Sequence, residues 1–175
     1  MLAAALLVTF ENGIGLLSFA AVAKRLGTND RTVVYYFPTK DALITEVLGA
    51  LGKQLQDLLD EAFGSRPMPA DDLLRLAWPV LASDAADPSF AVFFEVTGLA
   101  SARRSPYAEA AHAIAQAWAQ WLDPRIAEPD PALRRRQAWG LLARLDGLLL
   151  LRRLMGPEVA ESAAVDLGVA PDSGR

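Results

Sequence analysis

Cysteine is absent from the 175 residues and histidine occurs once, at His112. The first absence excludes disulfides and thiolate metal ligation. The second leaves nothing from which a multi-histidine zinc site could be assembled. No apolar run approaches the ~20 residues that a bilayer-crossing helix needs. The run Gly147–Leu151 is closed off by Asp146 and by Arg152-Arg153, and the apolar start lacks a basic n-region before Glu11. The expectation is therefore a protein without a signal peptide or membrane span, at home in a reducing cytoplasm. Enzyme motifs are missing as well. No nucleophile–histidine–acid arrangement surrounds His112, and there is neither a phosphate-cradling glycine loop nor metal-ligand spacing. Neither a cofactor, a metal nor an enzymatic activity is expected.

What is present is apolar material, 53% of residues, and a modest net charge of −4. That charge argues against a protein that coats nucleic acid indiscriminately. Its distribution is uneven. Residues 1–56 carry Lys24, Arg25, Arg31, Lys40 and Lys53 against Glu11, Asp30, Asp41 and Glu46, a net of +1, so the remainder carries −5. The N-terminal part is thus not repelled by phosphate.

Helical periodicity runs through nearly the whole chain, and no segment alternates as a strand would. A first helix carrying Leu6, Leu7 and Phe10 is expected to end at Asn12-Gly13. Ser18 reads as the N-cap of a short helix with Phe19, Val22, Ala23 and Leu26 on one face, and Gly27 supplies the turn after it. A second short helix, roughly 29–36, points Val33 and Phe37 inward. Pro38 ends it, and Thr39 caps a long helix whose stripe is Leu43, Val47, Leu51, Leu55 and Leu58, closed by Gly64. Further helices are predicted near 70–85 (with Pro79 kinking it or shifting its start), 88–103, 106–125, 131–155 and 158–167. Asp87-Pro88, Ser105-Pro106 and Asp130-Pro131 serve as cap-plus-proline starts, and the tail is expected to fray from Ala170.

Two short helices around a tight glycine turn have the spacing of a helix-turn-helix, whose second helix offers polar groups to the major groove. Thr28, Asn29, Arg31, Thr32, Tyr35 and Tyr36 all carry hydrogen-bonding groups there, and Thr32, Tyr35 and Tyr36 share a face at i, i+3, i+4. Ser18 and Lys40 flank the pair, placed to grip backbone phosphates. The string Ser18-Phe-Ala-Ala-Val-Ala-Lys-Arg-Leu-Gly27, followed by Thr32-Val-Val-Tyr-Tyr-Phe-Pro-Thr-Lys40-Asp-Ala-Leu43, closely resembles the DNA-binding domain of TetR-family repressors. The likeness runs without a gap from Phe10 to Val47. Three positions depart from the family pattern. Val34 stands where tyrosine is usual, Asp30 where lysine or a small residue is, and Arg31 where glycine or a small residue is. A basic arm ahead of the first helix is also missing.

The resemblance implies an all-α protein: an N-terminal three-helix helix-turn-helix domain, residues 1–50, joined by a long helix to a helical ligand-binding and dimerisation domain, residues 51–175. It implies a homodimer that binds double-stranded operator DNA and is released by a small-molecule effector. Ser18 and Lys40 then contact phosphate, Thr28, Asn29, Thr32 and Tyr35 face the groove, Arg31 offers a guanine contact, and Tyr36 meets the backbone. Apolar pockets between helices are the usual effector sites. Trp78, Phe93, Phe94, Trp118 and Trp121 are the candidates to line one for an apolar or aromatic effector, with Arg144 as a polar contact. Each aromatic also reads as plain core. Glu95, in the apolar company of Phe93, Phe94 and Val96, reads as a structurally satisfied acid. The stretch Leu141–Leu148 is apolar on most sides yet carries Arg144 and Asp146, which do not face each other on one helix. Gly147 there would let two helices approach closely, as at a subunit interface. A second reading keeps the fold without operator binding: a helical dimer that takes a small molecule or a protein partner.

Overall fold

The computed structural model describes residues 1–171. Nine α-helices are described: α1 Leu2–Asn12, α2 Phe19–Leu26, α3 Asp30–Tyr36, α4 Lys40–Phe63, α5 Ala70–Leu81, α6 Asp87–Ser101, α7 Tyr107–Leu122, α8 Pro131–Met155 and α9 Pro157–Asp166, with short 3-10 turns at Ile14–Leu16 and Asp123–Arg125. No strand occurs among the described residues; Met68 and Ile126 make a single isolated bridge. The all-α class follows from the helical period read along the sequence.

Local chemistry sets most of the boundaries. Ser18 Oγ accepts from Ala21 N–H, Asn29 Oδ1 from Thr32 N–H, Thr39 Oγ1 from Ala42 N–H and Asp130 Oδ1 from Ala132 N–H. Each cap satisfies an amide that the first helical turn leaves without a partner. Gly27 ends α2 in the left-handed conformation, φ +64°, which a β-carbon would penalise.

The chain divides into two compact units. The first joins Met1–Gln54 with Pro88–Ile114, and the second joins Leu55–Asp87 with the chain from Ala115 onward. The core of the first unit gathers Ala5, Val8, Ile14, Leu17, Val22, Val33, Leu43, Ile44 and Val47 with Val92, Val96 and Tyr107. In the second unit α5 and α9 both pack on α8. Leu73, Leu74, Ala77, Leu141, Leu145 and Ala160 are buried there.

Several details differ from the sequence reading. α1 buries Ala4, Ala5, Val8 and Thr9, while Leu7 and Phe10 are exposed. With apolar residues all round, side-chain size pointed to the wrong face. Leu26, at the very end of α2, is exposed too. In α4 the buried stripe keeps stepping by four, so Leu59 and Phe63 follow Leu55 and Leu58 turns outward. α5 starts directly after Pro69 and holds Pro79 inside its last turn, ending at Leu81 and not near 85. Pro79 brings no amide to the ladder, and the helix stops two residues later. Asp87 is the first residue of α6, not its cap, and α7 begins at Tyr107, so Pro106, whose carbonyl accepts from Ala110 N–H, takes the cap position and not the first helical one. Val169 and Ala170 are buried and their amides donate to Ala164 O, so fraying does not begin at Ala170. Residues 172–175, the rest of that expected tail, lie outside the described residues.

Charged groups pin the second unit at several points. Arg144 Nη1 lies 2.8 Å from Asp71, and Arg152 reaches both Asp84 at 2.9 Å and Asp87 at 3.5 Å. Asp146 differs: burial alone raises its carboxyl from the ordinary aspartate range to about 6.

Two predictions follow from this packing. Leu59 is 2% exposed and Leu58 46%. Leu59→Ala should therefore cost about 2–5 kcal/mol in a urea unfolding titration, and Leu58→Ala less than about 1 kcal/mol. Because the folded-state value for Asp146 is raised, its contribution to stability is fully present below the unfolded value and is lost as pH climbs through about 6. Asp146→Asn should accordingly raise the unfolding free energy at pH 7.5 by on the order of 2 kcal/mol, with little gain at pH 4. Equal effects at both pH values would contradict this origin.

Candidate nucleic-acid interface

The second helix of the pair is short, and its two sides are sharply different. Val33 and Phe37, four residues apart, are buried in the core of the first unit. On the opposite side Tyr35 is 82% exposed, and Tyr36, Arg31 and Asn29 are exposed with it, while Thr32 is half-buried. The Tyr35 and Tyr36 rings meet edge to face, with centroids 5.4 Å apart. That contact restricts both rings while their hydroxyls remain at the surface.

Hydrogen bonds order the start of α3. Thr28 Oγ1 donates to Thr32 Oγ1 at 3.1 Å, and Thr32 Oγ1 lies 3.4 Å from Asn29 Oδ1, which already accepts the Thr32 amide. Thr28, Asn29 and Thr32 thus form one linked cluster at the helix N-terminus. Ser18 is half-buried, its hydroxyl engaged as the cap of α2, and Lys40 is exposed at the first position of α4. All eight residues expected to meet DNA lie in the first unit. Arg25, which a charge count would add to them, is instead tied to Glu11 by an ion pair between α2 and α1.

The residues expected to line an effector pocket are spread over several environments. Phe93 and Phe94, in the first unit, form an aromatic trio with Phe90, with centroids 5.2–6.4 Å apart. In the second unit Trp78 is buried and its indole N–H donates to Glu161 at 2.8 Å. Trp118 meets Trp121 edge to face at 5.4 Å. Trp121 also contacts Phe63, and its ring lies 3.8 Å beneath the Arg125 guanidinium, which is held in turn by Asp60. Arg144 is paired with Asp71. A groove of about 450 Å³ in the same unit lies between Pro67, the Asp123–Pro129 segment and Arg134. None of the six expected ligand contacts lines it.

Glu95 stands out in the sequence as an acid in apolar company, but its partners do not. Its carboxylate accepts from the backbone amides of Ile14 at 2.8 Å and Gly15 at 2.9 Å. Backbone amides carry no residue signature. The flanking Gly13-Ile14-Gly15 was the one available sign that something approaches the chain closely there.

Residues 1–47 match the family model described as bacterial regulatory proteins, tetR family. Among solved structures, a transcriptional regulator from Rhodococcus sp. Rha1 is 27% identical, with 96% of this chain and 91% of that one covered and a TM-score of 0.71. A TetR transcriptional regulator from Legionella pneumophila is 17% identical, with coverage of 95% and 91% and a TM-score of 0.66. The multidrug binding protein EbrR, complexed with imidazole, is 24% identical, with coverage of 99% and 89% and a TM-score of 0.68. No curated protein matches closely enough for comparison. No helix among the described residues is long and apolar enough to cross a membrane. Residues 1–47 thus match the tetR family model of bacterial regulatory proteins, and the chain as a whole shares the all-helical fold of solved transcriptional regulators, one of them described as a TetR regulator.

Proposed function

We propose that this protein is a ligand-responsive transcriptional regulator, a homodimeric repressor in the cytoplasm that leaves its operator when a small molecule binds, and not an enzyme. The observation that carries the reading is the two-sidedness of α3: Val33 and Phe37 are buried while Tyr35, Tyr36, Arg31 and Asn29 face outward. Such a helix can enter a major groove without giving up its packing. Thr28, Asn29, Arg31, Thr32 and Tyr35 read bases, and Ser18, Tyr36 and Lys40 hold phosphates. DNA reading belongs to residues 1–50, and ligand binding and dimerisation to residues 51–175.

Dimerisation is assigned to the outward side of α8 and the start of α9. Gly140, Ala143 and Gly147 are exposed at alternating spacings of three and four, and a β-carbon on either glycine would meet open space. Leu150 and Leu154 continue the same face, and Met155 and Val159 lie exposed just beyond. A second copy covers this apolar strip, since small residues allow close helix approach and the leucines supply buried area. Two recognition helices in one dimer must then stand about 34–36 Å apart to enter successive grooves. The aromatic residues Trp78, Phe93, Phe94, Trp118 and Trp121, with Arg144, are assigned to an effector that is itself apolar or aromatic. The multidrug binding protein EbrR is complexed with imidazole and with proflavin, both aromatic, which supports the same class of ligand here.

Fluorescence anisotropy on a duplex enriched from a random library by the wild-type protein tests the DNA assignment. Lys40→Ala and Tyr36→Ala should weaken binding to every sequence, and Lys40→Ala should lower the salt slope by about 1. Thr32→Ala should flatten base preference at one position by about 1–3 kcal/mol. Unchanged affinity in Tyr36→Ala removes that residue from the interface. For the dimer, Leu154 is 70% exposed in one protomer, so Leu154→Glu should leave the helical circular dichroism intact. It should also convert the sedimenting species from dimer to monomer. A variant that still sediments as a dimer would place the interface elsewhere.

A further inference from the structure

The carboxylate of Glu95 holds a turn 81 residues away in the chain. Its two oxygens take one amide each, Ile14 at 2.8 Å and Gly15 at 2.9 Å. Successive backbone N–H groups converging on one anion form a nest. The glycines make room for it. A β-carbon at Gly13, where φ is +84°, would lie 2.7 Å from one carboxylate oxygen, and one at Gly15 would lie 3.0 Å from the other. Tyr107 reaches the same turn, its hydroxyl donating to Ile14 O at 3.5 Å. Burial, and then the nearby Glu95 charge, raises the phenol above its ordinary value, so it remains a donor at neutral pH. Both backbone groups of Ile14 are thus engaged by side chains of α6 and α7, all within the first unit.

From this turn the chain runs directly into the DNA-reading helices. Ile14 and Leu17 are fully buried, Ser18 caps α2, and α2 packs on α3. We propose that Glu95 is a positioning residue for DNA reading: by gripping the Ile14–Gly15 amides it fixes the turn from which α2 and α3 are hung. The proposal rests on the DNA-binding reading above. It makes a prediction opposite in sign to plain electrostatics. Removing a carboxylate from a protein that binds a polyanion should tighten binding, whereas releasing the turn should weaken it.

Glu95→Gln keeps the size but has only one accepting oxygen, and it sets an amide NH₂ against a backbone N–H. Measured on the duplex enriched by the wild-type protein, Glu95→Gln should bind about tenfold more weakly. The salt slope should be unchanged, because no phosphate contact is lost. Hydrogen exchange at Ile14 and Gly15 should accelerate while Leu43, deep in the core, stays protected. Gly15→Ala, which crowds the carboxylate without altering charge, should shift affinity in the same direction and keeps the test open if Glu95→Gln folds poorly. Binding by folded Glu95→Gln as tight as, or tighter than, wild type overturns the proposal. So does a loss that only tracks the fraction unfolded. A wild-type protein that enriches no duplex overturns the DNA-binding reading and this one together; wild-type binding with unchanged variants overturns this one alone.

Discussion

A helix of seven residues cannot hold its own shape in water. α3 exists because Val33 and Phe37 are buried in the core of the first unit, because Asn29 caps its start, and because α2 lies against it. The assignment of base contacts to α3 depends on that one-sided burial. It gives the helix a fixed rotation, and the rotation decides that Tyr35 and Tyr36 face solvent while the valine and phenylalanine do not. A change on the buried side would therefore disturb reading without touching a base. The polar cluster of Thr28, Asn29 and Thr32 stiffens the same helix from its exposed end.

The parts of the fold that could be read from sequence are those settled by neighbours in the chain. Ser18, Asn29, Thr39 and Asp130 stand beside the amides they cap, and Gly27 beside the turn it permits. Faces of helices are settled by distant partners and were harder. α1 is apolar all round, so periodicity could not say that the alanines face inward and Phe10 outward. In α4 the buried positions step by four from Leu43 to Phe63, and the stripe winds slowly round the helix. A fixed face assumed for the whole helix therefore chose Leu58 over Leu59. The period of 3.6 describes one helix surface well only while its packing partner stays the same.

The outward face of α3 was legible because its polar residues are contiguous. A pocket is not contiguous. Large aromatic residues announce buried area, but not whether a ring borders a space or fills one. Trp78 is fixed by Glu161, Trp121 is covered by Arg125, and Arg144 is paired with Asp71, contacts that span 83, 4 and 73 positions. The aromatic cluster at Phe90, Phe93 and Phe94 satisfies itself in the same way. Only short-range members of such pairs leave a pattern in the sequence. The rest depend on which helices the tertiary fold brings side by side.

Under the proposed function, a ligand site and the DNA-facing helices must be linked energetically. Coupling between a ligand site and a DNA site typically amounts to about 1–3 kcal/mol. Hydrogen bonds to a charged group contribute about 1.5–3 kcal/mol each when sheltered, and less in water. Of the two that Glu95 makes, the Ile14 bond is partly buried and the Gly15 bond is exposed. Together they come to a few kcal/mol. The fork therefore fixes the turn mainly through the partly buried Ile14 bond, with the Gly15 bond, open to water, contributing less.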